Sequence, residues 1–96
     1  MYVIIWEFQA RQGCKEELLA ANSPDGAWSR FFGRDPAYQG TEVLHQASRV
    51  VTIDRWDSQA AYEAFRAAHA AEYQEIDREL ERLTAHEHHI GSFESA

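Results

Sequence analysis

Arg49-Val50-Val51-Thr52-Ile53-Asp54-Arg55-Trp56 is the stretch on which the reading of the whole chain turns. Taken as a strand with side chains alternating between two faces, it puts Val50, Thr52, Asp54 and Trp56 on one side and Val51, Ile53 and Arg55 on the other. Both sides are partly apolar. A sheet with helices on one side only leaves the other to water, so two half-apolar faces predict that something covers the second face as well. The stretch before it, Tyr38 to Gln46, is also strand-like, and the short interval at Ala47-Ser48 predicts a hairpin.

Moving outward, Tyr2 to Arg11 reads as a strand with Tyr2, Ile4, Trp6, Phe8 and Ala10 on one face, stopped by Gly13. Cys14 to Asn22 is a short helical stretch. Ser23-Pro24-Asp25-Gly26 interrupts it, and Ser23 is the expected N-cap of a second short helix carrying Trp28, Phe31 and Phe32 and ending at Asp35-Pro36. After the hairpin, Asp57 or Ser58 caps one long helix running to about Leu83. Its apolar stripe is Tyr62, Phe65, His69, Tyr73, Ile76, Leu80 and Leu83, and no proline or glycine marks a bend. Thr84 to Ser95 closes the chain as a fourth strand. The order strand, broken helix, strand, strand, helix, strand is that of an α+β, ferredoxin-like split βαβ domain with an antiparallel sheet, and residues 1–96 form a single domain.

Composition narrows the function classes. The net charge of −7 gives a field that repels phosphate backbones and anionic membrane surfaces, so neither nucleic acid nor membrane is an expected partner. Cys14 is the only cysteine, which rules out an internal disulfide and fits a reducing compartment; the opening apolar run meets Glu7 and lacks a basic flank, so it fails as a signal peptide. A cytoplasmic location is expected. A chain of 96 residues buries only about two-thirds of its unfolded surface, which favours pairing with a second copy.

The segments Met1-Tyr2-Val3-Ile4-Ile5-Trp6-Glu7-Phe8, Pro24-Asp25-Gly26-Ala27-Trp28, Tyr38-Gln39-Gly40-Thr41-Glu42 and Ile53-Asp54-Arg55-Trp56-Asp57-Ser58 leading into Ala61-Tyr62-Glu63-Ala64-Phe65 resemble the antibiotic biosynthesis monooxygenase domain family. The resemblance implies a homodimer in the form of a dimeric α/β barrel, with two sheets face to face, helices outside and a pocket between each sheet and its helices. It also implies activities that include cofactor-free oxygenation of aromatic polyketides and heme degradation. The heme-degrading branch relies on an asparagine in the first strand, a tryptophan and a downstream histidine. Here Glu7 falls near the first, Phe65 near the second, and His69 comes too early for the third.

His69 is the expected general base, because the helical spacing places its imidazole on the apolar face between Phe65 and Tyr73, where a neutral ring can take a phenolic proton. Deprotonation makes an electron-rich anion that reacts with dioxygen without a flavin or metal. The competing reading is a core histidine bonded to a backbone carbonyl or a carboxylate. Trp28, Phe32, Trp56, Tyr62, Phe65 and Tyr73, with Tyr38 beside them, are candidate walls of a pocket for a small aromatic ligand. The same rings at the same periods also suit core packing. His86 and His88 share a strand face and could chelate a metal, but no third ligand has a recognised spacing. Glu7, Asp54 and Arg55 are charges inside strands, suited to a pocket or to ion pairs at a dimer rim. Cys14, near a helix start, reads as an incidental thiol. The expected function is a cofactor-independent monooxygenase of a small electron-rich aromatic or quinol; the alternative is a non-catalytic dimeric small-molecule-binding module.

Overall fold

The computed structural model describes residues 1–96, from strand β1 (Tyr2–Ala10) through helices α1 (Lys15–Asn22) and α2 (Ala27–Phe32), strands β2 (Tyr38–Gln46) and β3 (Arg49–Trp56), and helices α3 (Gln59–Ala68) and α4 (Ala70–Leu80). A 3-10 turn at Glu81–Leu83 then leads into β4 (Thr84–Glu94). The strands form one antiparallel sheet in the order β2-β3-β1-β4. This is the α+β, ferredoxin-like arrangement expected from the element order.

Pairing registers fix the two faces. Tyr2 lies opposite Trp56, Ile4 opposite Asp54, Trp6 opposite Thr52 and Phe8 opposite Val50, and these residues face the helices. Trp56 is fully buried and packs on Phe32 (5.6 Å between ring centroids), Tyr38 (5.4 Å), Tyr62 (5.4 Å) and Phe65 (5.5 Å). Rings from three other elements therefore meet on one side chain, and deleting a buried aromatic of this kind costs about 3–5 kcal/mol. A second cluster, built on Ala10, Leu18, Val50 and Leu83, pins α1 and the end of α4 to the other end of the sheet.

No helix covers the opposite face. Val3, Ile5, Val51 and Ile53 form its centre, and Leu44 and Phe93 stand at its sides about half exposed. Its charges are paired within the chain: Arg49 forks onto both carboxylate oxygens of Glu7 at 2.8 and 3.1 Å, and Arg55 reaches Glu42 at 3.2 Å.

Two local expectations need correction. The long helix is broken at His69, whose backbone (φ −123, ψ 31) leaves helical values. The hydrogen-bond ladder continues around the break, from the Tyr73 amide to the His69 carbonyl, while the His69 ring is drawn onto Phe65 and Phe31. No glycine or proline was needed, which is why the wheel did not show it. Ser23 is not the cap of the second helix. Its hydroxyl donates back to the Ala20 carbonyl at 2.8 Å, closing α1, and Gly26 caps α2.

Gly26 is required by contact rather than by backbone torsion. A Cβ there would lie 2.3 Å from the Ala20 carbonyl oxygen and 2.4 Å from that of Ala21, and backbone cannot move aside as a flexible side chain would. Gly26→Ala is expected to lower stability by about 2–4 kcal/mol, seen as a lower midpoint of thermal or urea unfolding. An unchanged midpoint would contradict this packing of α1 against α2.

Candidate active site

A cleft opens between the helix-covered face of the sheet and the helices. Its floor is Trp6 and Phe8 of β1 with Thr52 and Asp54 of β3, and its walls are Trp28 and Phe32 of α2, Tyr62 of α3 and Tyr73 of α4. The walls are held ring against ring. Trp28 stacks on Phe32 at 5.6 Å with 15° between planes, and Tyr73 tilts against Trp28 at 5.0 Å. The cleft offers about 70 Å³, roughly half of the ~150 Å³ that holds a benzene in an engineered protein cavity, so a single ring enters fully only if the walls move apart.

Asp54 is the ionisable group at the floor. Period-two alternation from the anchored Trp56 turns it toward the helices, and burial pushes its carboxyl up to about 6 from 3.8, opposed by the hydrogen bond from Thr41. Thr41 is its direct partner across β2 and β3, and the hydroxyl donates to Oδ1 at 2.5 Å. Because that proton is committed, the close contact between the Thr41 and Tyr38 hydroxyls leaves Tyr38 as donor, with Ser29 Oγ 3.4 Å from the Tyr38 oxygen. The series points its protons toward the carboxylate. No hydrogen bond from the protein reaches Oδ2, and Asp54 lines the cleft.

Two tyrosines complete this end. Arg66 donates to the Tyr62 hydroxyl at 3.0 Å and lays its guanidinium 3.7 Å from the centre of the Tyr73 ring, which fixes both phenols from behind the wall. Burial pushes the Tyr73 hydroxyl up to about 12, so it stays protonated as a donor near neutral pH.

Of the residues expected from the sequence, Trp28, Phe32, Tyr62 and Tyr73 line the cleft. Trp56 and Phe65 lie behind them in the core, 0% and 4% exposed. His69 does not line it; its ring sits at the helix break, 4.5 Å from Phe65 and 6.1 Å from Phe31. Its ring packs on Phe65 and Phe31 at the break between α3 and α4. Glu7 and Arg55 fall on the open face in ion pairs, and Cys14 packs half-buried against the second cluster. His86 and His88 share the open face, opposite Gln9 and Glu7, and no group of three or more His, Cys, Asp or Glu side chains is placed to hold a metal. The prominence of Asp54 was the signal missed. A two-residue hairpin at Ala47-Ser48 pairs Gln46 with Arg49, and counting back from it pairs Thr41 with Asp54.

The raised acidity constant of Asp54 has a stability consequence. Its folded value lies above its unfolded one, so this group costs nothing below about pH 3.8, and stability is lost as pH rises from there through about 6. The rise corresponds to at most about 3 kcal/mol. Asp54→Asn is therefore expected to raise the melting temperature by about 5 °C or more at pH 8 and little at pH 4, measured as the difference from wild type at each pH. An equal effect at both would show that the carboxylate is not desolvated.

No family model and no curated protein matches the sequence. Solved structures do match. SnoaB from Streptomyces nogalater, a cofactor-independent oxygenase solved as a point mutant, superposes with a TM-score of 0.75 at 19% identity over 98% of this chain and 91% of its own. A protein from Deinococcus radiodurans named as a candidate antibiotic biosynthesis monooxygenase gives 0.77 at 12% identity over 100% and 93%, and a similarly named one from Nitrosomonas europaea gives 0.66 at 16% over 99% and 98%. The chain has the fold of the antibiotic biosynthesis monooxygenase proteins.

Proposed function

We propose that the protein is a cofactor-independent oxygenase of a small hydroxyaromatic compound, with Asp54 rather than His69 as the base. The observation that carries this reading is the Asp54 carboxylate, poised near 6 on the floor of an aromatic cleft with one oxygen free of protein partners. A phenol edge-on in the cleft gives its proton to Oδ2. The resulting phenolate is electron-rich enough to pass one electron to dioxygen, and recombination at the ring carbon para to the oxygen forms a carbon–oxygen bond. Loss of the para hydrogen and cleavage of the oxygen–oxygen bond, with protons returned by Asp54, give a quinone and water. Dioxygen supplies both the new carbonyl oxygen and the oxygen of water, and all four electrons come from the substrate. Tyr73, protonated throughout, donates to the developing peroxide. SnoaB, a cofactor-independent oxygenase on the same fold, supports the reading.

A second reading, a non-catalytic module that binds a small apolar molecule, is favoured by the narrowness of the cavity. Oxygen uptake with single-ring phenols open at the para position, such as resorcinol, separates the two. Turnover is expected to rise through about pH 6 as Asp54 loses its proton, to fall at least about 100-fold in Asp54→Asn, and to stay within about threefold in His69→Ala. Ligand binding without uptake in the wild type would favour the module, and loss confined to His69→Ala would restore the histidine as base.

The uncovered sheet face is proposed as a homodimer surface. Val3, Ile5, Val51 and Ile53 give it an apolar centre, and the Glu7–Arg49 and Glu42–Arg55 pairs bring their charges already compensated. Sedimentation should show a dimer at micromolar concentration and a folded monomer for Ile53→Lys. A monomeric wild type would remove the proposal.

A further inference from the structure

The cleft has a second chemical character at the end away from Asp54. Asp77 of α4, Glu81 of the 3-10 turn and Glu87 of β4 line it there with Thr84, so with Asp54 the cleft is lined by four carboxylates and by no lysine, arginine or histidine. None of the four takes part in the ion pairs of the chain, which join Arg34 to Glu72, Arg49 to Glu7, Arg55 to Glu42 and Arg82 to Glu17. Glu87 accepts only a long hydrogen bond from Thr84, at 3.4 Å. Burial raises its pKa, with Asp77 and Glu81 adding to the rise through like charge. Arg11, Arg78, Arg82 and His86 line the groove outside, together with Glu79, where Asp77, Glu81 and Glu87 show their other sides, and none of these basic groups bonds to the three. At the deep end, Oδ2 of Asp54 is likewise without a protein partner.

We infer that the substrate of this cleft is a hydroxyaromatic molecule carrying a protonated amine, its ring against the wall that Trp28 and Tyr73 form together and its ammonium group at Asp77 and Glu87, and that aromatic carboxylates are excluded by charge. The inference rests on the cleft being the substrate site. An ammonium group there meets a compensating charge, whereas a carboxylate would add a negative group beside Asp77, Glu81 and Glu87.

Three probes with one phenol ring, an open para position and different tails test this: meta-tyramine, meta-ethylphenol and meta-hydroxyphenylpropanoate, titrated against tryptophan fluorescence. The amine should bind tightest and the propanoate weakest, at least about tenfold apart at low salt, with added salt weakening the amine alone. Asp77→Asn combined with Glu87→Gln should bring the ratio to within about twofold, with circular dichroism unchanged. If that variant fails to fold, the salt dependence with wild-type protein decides. Equal binding of cation and anion, tighter binding of the anion, or no binding of any probe at millimolar concentration would overturn the inference. The outcome is separable from the oxygenase reading: a lost charge preference beside Asp54-dependent oxygen uptake sinks only the charge inference, and a clear preference with no uptake on any substrate sinks only the oxygenase.

Discussion

The burial of Trp56 constrains everything around it. Its indole meets Phe32, Tyr38, Tyr62 and Phe65, so α2, β2 and α3 are all positioned against the last residue of β3. Once that residue is committed to the helix side, a strand has no freedom two positions earlier, and Asp54 must face the same way. The cleft follows from this geometry. A large ring and a small carboxylate share one face, and the space the carboxylate does not fill lies between the sheet and the rings of Trp28, Tyr62 and Tyr73.

That arrangement sets stability against chemistry. The aromatic cluster contributes several kcal/mol of burial, while Asp54 withdraws up to about 3 kcal/mol when ionised. The hydrogen bond from Thr41 lowers the cost without removing it, leaving a group that changes protonation close to neutrality. Arg66 has a comparable role for the phenols: one guanidinium, set behind the wall, holds Tyr62 by its oxygen and Tyr73 by its face. The carboxylates at the other end add no such compensation, so their charge is left for whatever enters.

Much of this was legible in the sequence, for reasons that can be named. The alternation in Tyr2–Ala10 and Arg49–Trp56 places Tyr2, Ile4 and Ala10 with Val50, Thr52 and Trp56 on the buried side, so the strand faces followed from residue order alone. The rings of the cleft were recognisable as a group because helix and strand periods both aim them inward. Which of them touch a ligand was not, since Trp56 and Phe65 differ from Tyr62 and Tyr73 only in depth. His69 stands out through its place on a regular stripe, yet it sits at a break that no glycine or proline marks. Asp54 reads as an ordinary strand charge, although its neighbour Trp56 already says which way it points. The acidic end joins α4, the 3-10 turn and β4, and only the return of the last strand beside β1 brings those segments to one cleft.

The central claim is that Asp54 is a desolvated carboxylate facing the cleft. Its side-chain carboxyl carbon can be followed by NMR across pH in the wild type, with Asp54→Asn identifying the resonance. A midpoint near 6 that moves when a phenol is added is the predicted result. A midpoint near the ordinary value of about 4, indifferent to the phenol, would contradict the account.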